Sequence, residues 1–510
     1  MIGSADSELS LKQKFSNGVI KTLQSRVFYA ASLILFIGES LWIALSGRYS
    51  MAYDENTHMS IIQLYSHKLL PFWFDQPPPG SYGAVSSDPS YMYHYLLSFP
   101  YRLFSHFFVD QTTQVIFLRL FSIVFFVFGL MLVRRLLLQV NVSRALANAL
   151  VVFLVLTPLI PFLAAQINYD NLLFPITILA IIWSVRFDRE LRSGVINVKL
   201  LLLLLSVCLF GSLVMSAFIP IFIAISSWFT YRFWCHYRQL GYRRFSKKLK
   251  QSLKRMSIVW RVALITLVVL ISGLFIERYG INIIRFHTPL PSCEQVISED
   301  ICKLNGPWLR EHQLNEQKAA GQLSPARQNP FSYFFGTWLR IMSYQMFYAV
   351  NGQIKHFKVG APLPLPMFIA IIIGVVGAVL ILLNLKHFIK NDDLLLLMFV
   401  AVVYVSFLLL KNYTEYLRLG QALGIQGRYL MPILPIVYLI FGLGWRSFLK
   451  KKIYYKALLS AAAIAILAFQ GGGAMVFIIR SDENWYWENH KVIEVNKNAQ
   501  RFLKAIVIGS

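Results

Sequence analysis

The sequence predicts an all-α polytopic membrane protein with about eleven transmembrane helices and further helices lying on the outer membrane surface. Hydrophobic residues make up 56% of the 510 residues, only 14% are charged, and the mean hydropathy is +0.55. A water-soluble chain could not bury this much apolar surface. Lys and Arg outnumber Asp and Glu by 49 to 24, and the excess lies in short segments between apolar runs. Basic residues in such segments set topology and contact anionic lipid headgroups, so we expect membrane lipids and no nucleic acid as partners.

The first half of the chain is predicted to form an amino-terminal transmembrane module, residues 27–276, after a polar cytoplasmic segment, residues 1–26. Arg232 to Arg261 holds ten basic residues and no acid, which is the strongest positive-inside signal in the chain. This signal places the segment and the amino terminus in the cytoplasm, and the first long loop, residues 47–114, outside. The predicted spans of this module are 27–46, 115–136, 144–163, 172–186, 200–216, 218–234 and 259–276.

The second half begins with a long outer loop, residues 277–362, which precedes the carboxy-terminal transmembrane helices, residues 363–478, and an outer tail, residues 479–510. Spans are predicted here at 363–384, 394–410, 428–447 and 456–478, with inner loops marked by Lys386, Lys390, Arg446 and residues 450–452. Surface helices rich in aromatic residues, which suit the headgroup level, are predicted at His58–Leu70, from Asp88 onward, and at Pro330–Tyr348.

Two of the four cysteines, Cys293 and Cys302, lie in the long outer loop. An external compartment such as a bacterial periplasm oxidises a closely spaced pair of this kind, so the sequence predicts a disulfide bond. Cys208 and Cys235 lie on apolar segments and are interpreted as packing residues.

Three polar sites from distant parts of the chain fall on the predicted outer face: Asp54-Glu55 with His58, Asn168 with Asp170, and Gln426-Gly427-Arg428-Tyr429. If the chain is helical from Asp54, His58 lies one turn later on the same face, where the two side chains could form a catalytic base or a metal-binding corner. Arg428 is suited to a forked phosphate contact.

Structural roles for the same residues remain open. Asp54 and Asp170 are ordinary residues for the start of a helix, and Arg428 at the start of a span could simply extend its charge into the headgroups. Glu39 lies inside the first span, where we expect it to have a structural partner.

The ordered set of motifs resembles the GT-C superfamily of membrane glycosyltransferases, which includes the protein O-mannosyltransferases and the transferase that adds aminoarabinose to lipid A. The matching residues are Asp54-Glu55, Asp170, and the run from Arg428 to Pro435. The chain is more similar still to an uncharacterised bacterial multispanning family that pairs Asp-Glu-x-x-His with Gln-Gly-Arg-Tyr. That family also has a cysteine pair like Cys293-Glu294-Gln295-Val296 followed by Cys302, before a Gly-Pro such as Gly306-Pro307.

The resemblance implies a transferase that uses a polyprenyl-phosphate sugar as donor, and it does not define the acceptor. We expect an enzyme of the cytoplasmic membrane, with its active site on the outer face, that transfers the sugar to a glycan or lipid of the cell envelope. The resemblance implies Asp54 or Glu55 as the catalytic base, Arg428 and Tyr429 at the donor phosphate, and His58, Asn168 and Asp170 at a substrate or metal corner. A divalent metal held by Asp54 and His58 is the one cofactor considered.

The lipid A-type relatives have a Lys-Pro-Pro that is replaced here by Ser87-Asp88-Pro89-Ser90, and Arg119 is the candidate substitute for its phosphate contact. Two other functions remain as alternatives. One is a transporter or flippase of a lipid-linked glycan. Two observations argue against it: we see no sequence repeat, and the polar sites lie at one surface. The other is a scaffold subunit.

Overall fold

A computed structural model describes residues 2–73, 75–80, 82–322, 328–348, 365–449 and 452–507 of the protein. All regular secondary structure in these residues is helical, and a single isolated bridge pairs Gly47 with Tyr486. Helices of the first half are α1 (Ile2–Gln24), α2 (Arg26–Ser46), α3 (Glu55–Ser66), α4 (Met92–Ser105), α5 (Gln111–Gln139), α6 (Arg144–Val155), α7 (Leu159–Ala164), α8 (Asp170–Arg192), α9 (Val198–Val214), α10 (Ile219–Arg255), α11 (Ile258–Phe275) and α12 (Ile281–Phe286).

Helices of the second half are shorter and include several single turns. They are α13 (Cys293–Val296), α14 (Glu299–Cys302), α15 (Gly306–Ala319), α16 (Pro330–Ser332), α17 (Leu339–Phe347), α18 (Leu365–Leu383), α19 (Leu385–Ile389), α20 (Asp392–Leu419), α21 (Leu434–Phe448), α22 (Ile453–Phe469), α23 (Met475–Arg480) and α24 (His490–Ile506). Wider π-helical turns occupy Ile276–Gly280 and Tyr333–Trp338, and 3-10 turns occupy Ser216–Phe218, Gly427–Leu430 and Glu483–Trp485.

Six helical segments in the described residues are long and apolar enough to cross a membrane, namely Arg26–Ser46, Gln111–Gln139, Asp170–Arg192, Ser216–Gln239, Ile258–Phe286 and Asp392–Leu419. The protein therefore has the all-α membrane fold that its composition predicts. Shorter apolar helices lie at the other predicted spans: Arg144–Val155, Val198–Val214, Met367–Leu383, Leu434–Phe448 and Ile453–Phe469. The predicted count of about eleven is not confirmed, because a straight crossing takes about 20 residues.

Two predicted spans are interrupted rather than continuous. The segment 144–163 divides into α6 and α7 at Thr157-Pro158, because proline lacks the N–H that would continue the helix. The segment 456–478 divides into α22 and α23 at a glycine run, where Gly473 has a φ of +58°. The two breaks meet, since the Gly473 N–H donates to the Leu156 carbonyl at 2.9 Å. Glu39 lies against this junction: a Cβ on Gly473 would stand 1.9 Å from Glu39 Oε1.

The end of the helical bundle opposite Asp54 is rich in arginine and is called the basic face here. Asp188 is fully buried there and accepts hydrogen bonds from Arg192 at 2.8 Å, Arg232 at 2.9 Å and Trp228 at 2.9 Å. The same arginines reach α20, where Arg192 bonds Asp393 at 2.7 Å and Arg232 bonds Asp392 at 2.6 Å. This network joins α8 and α10 to α20. Lys450 and Lys451 lie outside the described residues.

The opposite end carries Asp54 and is called the Asp54 face. It holds α3 and α4, the loop segments 277–322 and 328–348, and the tail, whose Trp487 N–H donates to the Ser46 carbonyl at 3.1 Å. Helix α3 begins at Glu55, earlier than the predicted His58, and α4 begins at Met92 because Asp88 forms a turn with Ser90 instead. The predicted helix 330–348 is present as the continuous run Pro330–Phe347, whereas α15 and α24 were not predicted.

Cys293 and Cys302 form the predicted disulfide bond, with their Cα atoms 5.9 Å apart. The bond joins the first residue of α13 to the last residue of α14, at a sequence separation of nine. Cys208 is free and buried, and Cys235 is free and partly buried, as their positions on apolar segments predicted.

We expect alkylation of the denatured, unreduced protein to label two of its four cysteines, and alkylation after reduction to label all four. Intact-mass measurement counts the labels, with Cys293→Ala/Cys302→Ala as the control in which reduction adds none. Labelling of four cysteines without reductant would show that the bond is absent. The bond closes a short loop, so its loss should cost roughly 2–3 kcal/mol and act locally.

Candidate functional site

The side chain of Arg428 is the centre of the polar cluster on the Asp54 face. It belongs to the 3-10 turn Gly427–Leu430 and is only 3% exposed. Its Nε donates to Gln426 Oε1 at 2.5 Å, Nη1 lies 3.5 Å from Asp170 Oδ2, and Nη2 lies 3.6 Å from Asp54 Oδ2. The rings of Tyr53 and Tyr429 flank the guanidinium, with centroids 5.0 and 5.2 Å from Cζ. Burial opposes the charge, but Tyr429, Tyr169, Asp170 and Asp54 together raise the pKa of Arg428, so it stays a cation.

Close backbone packing fixes the turn that carries Arg428. The Gly427 N–H donates to Gln345 Oε1 at 2.8 Å, and a Cβ at Gly427 would stand 3.1 Å from the Met342 carbonyl oxygen of α17. Only glycine fits this approach without displacing the helix. Tyr404 on α20 donates its hydroxyl to the Tyr429 carbonyl at 2.6 Å. Two neighbouring helices thus hold the turn that carries Arg428, and the guanidinium is not simply extended into the lipid headgroups.

The two acids beside Arg428 differ in accessibility. Asp170 opens α8 and its side chain is 2% exposed, whereas the side chain of Asp54 is 49% exposed. Tyr53 and Asp54 both have a φ of +66°, a left-handed conformation that costs a non-glycine residue about 1–3 kcal/mol. Consecutive strained residues of this kind are concentrated at functional sites. Asp54 therefore combines backbone strain, exposure and a neighbouring cation.

Glu55 lies beside Asp54 in sequence but faces the protein interior. Both Glu55 and Arg119 are fully buried, and Arg119 Nε and Nη2 donate to the two carboxylate oxygens at 2.8 Å each. Arg119 also donates from Nη1 to the Ala44 and Gly47 carbonyls at the end of α2. This geometry favours a structural role for both residues. Neither side chain is accessible to a substrate, although the sequence suggested Glu55 as a base and Arg119 as a phosphate contact.

Asn168 connects the two acids. Its Nδ2 donates to the Tyr53 carbonyl at 3.2 Å, and its Oδ1 accepts from the Asp170 N–H at 2.9 Å. Glu55 makes a parallel link, since its carboxylate also accepts the N–H groups of Met51 at 2.8 Å and Ile167 at 3.1 Å. The turn before α3 and the turn before α8 are therefore held together. The role that the structure supports for Asn168 is to position Asp54 and Asp170.

His58 is paired with a second histidine and not with the Asp54 side chain. His58 Nδ1 lies 2.8 Å from His94 Nε2, and both rings are buried. Burial lowers the pKa of His94 to about 3 and, together with His94 and then Arg428, moves the pKa of His58 well below its usual value. Both imidazoles are therefore neutral at neutral pH. Across the residues that the structure describes, no group of three or more His, Cys, Asp or Glu side chains is placed to hold a metal ion.

The arrangement provides an accessible carboxylate and a fixed guanidinium that can act on one ligand. The three contacts of Arg428 leave further N–H groups able to donate to a phosphate. Sequence reasoning found Asp54, Asp170, Arg428 and Asn168, but it missed the supporting residues Gln345, Tyr404, His94 and Tyr53. Gln345 and Tyr404 lie within apolar or aromatic helices, where the sequence gives no signal of a contact with a distant turn. Tyr53 immediately precedes the Asp54 motif, and that proximity was the one available signal.

We expect Glu55→Gln to destabilise the protein by roughly 3–5 kcal/mol, because it leaves the Arg119 cation buried without its counter-charge. The measurement is thermal unfolding of the purified protein in detergent. Asp54→Asn is the matched control, since the half-exposed Asp54 side chain should be replaceable with little loss of stability. Equal unfolding temperatures for Glu55→Gln and the parent protein would rule out the structural role.

Comparison with known proteins does not identify a family for this chain: no protein-family model matches it, and no curated protein is similar enough in sequence to count as a match.

Proposed function

We propose that the protein is a membrane glycosyltransferase that moves a sugar from a polyprenyl-phosphate donor to a hydroxyl of a cell-envelope glycan or lipid. The observation that carries the proposal is the half-exposed carboxylate of Asp54, 3.6 Å from the buried guanidinium of Arg428. This reaction needs one group to accept a proton and another to stabilise a departing phosphate. The site has both at one end of a bundle of apolar helices, where a lipid-linked substrate is accessible. The order of motifs described above supports the same reaction, and we propose the outer face of the cytoplasmic membrane as its location.

In the proposed reaction, the acceptor hydroxyl attacks C1 of the donor sugar while Asp54 takes the hydroxyl proton. A new bond forms between the acceptor oxygen and C1, and the bond between C1 and the phosphate oxygen breaks. The electron pair leaves with the lipid phosphate. Direct displacement with a single base inverts the configuration at C1. Asp54 suits the part of the base because, of the two acids at Arg428, it alone is exposed to an incoming acceptor.

Arg428 stabilises the departing phosphate in this proposal. Its fork can donate two parallel hydrogen bonds to phosphate oxygens, which a lysine cannot do. The anchors at Gln426, Gly427 and Tyr429 restrict the guanidinium before the donor binds, so little side-chain entropy is lost on binding. Asp170 stays behind Arg428 as its buried counter-ion.

A second candidate function, a transporter or flippase of a lipid-linked glycan, is favoured by the junction between α6/α7 and α22/α23. Discontinuous helices with an ionisable residue at the break, here Glu39, are typical of transporters. A flippase moves the intact lipid-linked glycan and leaves the bond between sugar and phosphate unbroken. The chemical product therefore distinguishes the two functions.

We expect Asp54→Asn to lower the transfer rate by about two to four orders of magnitude, as loss of a general base does. The assay supplies a panel of undecaprenyl-phosphate sugars and envelope extracts to the purified protein in nanodiscs and measures free undecaprenyl phosphate. Asn56→Ala is the matched control, because Asn56 is exposed on the same turn but contacts neither Asp54 nor Arg428. Unchanged turnover in Asp54→Asn would remove Asp54 as the base, and absence of turnover in the parent protein would favour the flippase.

We expect Arg428→Lys to lower turnover at least tenfold at donor concentrations below saturation, because lysine keeps the charge but loses the forked contact. The expression level and thermal stability of Arg428→Lys should remain close to those of the parent, so the loss of turnover is not a result of misfolding. Lys456 in α22, outside the cluster around Arg428, gives the control substitution Lys456→Arg. If Arg428→Lys and the parent turn over the donor equally, Arg428 has only an anchoring role.

A further inference from the structure

A cavity of about 690 Å³ opens on the Asp54 face, beside the cluster around Arg428. Three separated parts of the chain line it: residues 82–89 of the first loop, residues 290–315 of the second loop, and residues 415–424 at the end of α20. Its volume lies within the range of about 300–1,000 Å³ that is usual for ligand sites. The disulfide contributes to the wall, since Cys293 lines the cavity and its bond to Cys302 fixes the segment before α15.

The lining combines aromatic rings with polar groups that both donate and accept hydrogen bonds. Trp308 stacks on His312 with ring centroids 4.7 Å apart and planes 15° from parallel. The Trp308 indole N–H donates to Glu294, and Arg418 pairs with Glu311. Flat rings next to carboxylates and guanidiniums are the chemistry that binds a sugar ring, because the ring offers apolar C–H faces and a rim of hydroxyls.

The charges of the lining restrict the kind of glycan. Four carboxylates line the cavity, from Asp88, Glu294, Glu311 and Glu415, against the two guanidiniums of Arg310 and Arg418. A phosphate-rich ligand would meet a surplus of negative charge there, and unlike charges are needed for complementary binding. The lining therefore favours a neutral or amino-sugar glycan over a phosphorylated one.

The cavity is adjacent to the proposed reaction centre. Gly424 at its rim lies two residues before Gln426, which holds Arg428. Asp88 of the first loop also lines the cavity. The lining therefore continues along the chain, through Gly424, into the turn that carries Arg428.

We propose that this cavity binds the acceptor, a neutral or amino-sugar glycan, with Trp308 as the stacking platform. This inference rests on the proposed transferase only where it identifies the bound glycan as the acceptor. Binding of a glycan can be measured without a donor and without transfer.

The test measures binding of the purified full-length protein in nanodiscs to an array of bacterial envelope oligosaccharides with neutral, amino-sugar and phosphorylated members. We expect the parent to bind neutral or amino-sugar members, and Trp308→Ala to bind them about tenfold more weakly, the loss expected for one aromatic contact. Trp308→Phe should restore most of the affinity because it keeps a ring. Gln313→Ala is the matched control, since Gln313 is exposed on the same helix but does not line the cavity.

The proposal is overturned if the parent binds no member of the array, if it prefers phosphorylated members, or if Trp308→Ala binds as the parent does. A parent protein that binds glycans but never releases undecaprenyl phosphate would refute the transferase and leave the cavity assignment standing. If the parent and Trp308→Ala transfer sugar with the same acceptor KM, the cavity assignment is refuted and the transferase still stands.

Discussion

The buried ion pair between Glu55 and Arg119 is the interaction on which the arrangement of the Asp54 face depends. One guanidinium holds the carbonyl groups that end α2 and the carboxylate that opens α3, while the carboxylate also receives two backbone N–H groups. Removing two charges from water costs several kcal/mol per ion, and this cost is offset only when nearly every donor and acceptor is matched. Here the carboxylate is matched on both oxygens. The pair therefore fixes the relative position of three helices and the turn before α8.

This fixed frame explains how the chain can keep Tyr53 and Asp54 in a left-handed conformation. Such residues persist only where surrounding contacts over-determine the backbone. Glu55 holds the turn on one side through the Met51 N–H, and Asn168 holds it on the other through the Tyr53 carbonyl. The consequence is that Asp54 faces outward while its neighbour Glu55 faces inward. Two adjacent acids thus acquire opposite environments, one half-exposed and one fully buried.

The sequence predicted the class of fold, the disulfide and the polar residues at Arg428, because these depend on composition, compartment and local motifs. The sequence predicts segments 144–163 and 456–478 as continuous spans, because their apolar character outweighs two prolines in the first and a short glycine run in the second, yet both segments are broken. The exposure of Asp54 and the burial of Glu55 could not be predicted, because they depend on Arg119, which lies far away in sequence. His58 likewise looked like a partner for Asp54, but its ring contacts His94 on another helix. Contacts between distant segments leave no local pattern in one sequence.

The charge balance around Arg428 gives the proposed reaction an order of events. One cation lies between two carboxylates, at 3.5 and 3.6 Å, distances longer than the roughly 2.7–2.9 Å of a tight charge-assisted hydrogen bond. An arriving donor phosphate adds a third anion and competes for the guanidinium. Asp170 cannot move into water because it is buried, whereas Asp54 is half-exposed and can be hydrated at little cost. In the proposed transferase, donor binding therefore displaces Asp54 and not Asp170, and the displaced carboxylate is available to the incoming acceptor hydroxyl. The Asp54 carboxylate is then released from Arg428 only when a donor is in place, so donor binding and the availability of the base are coupled.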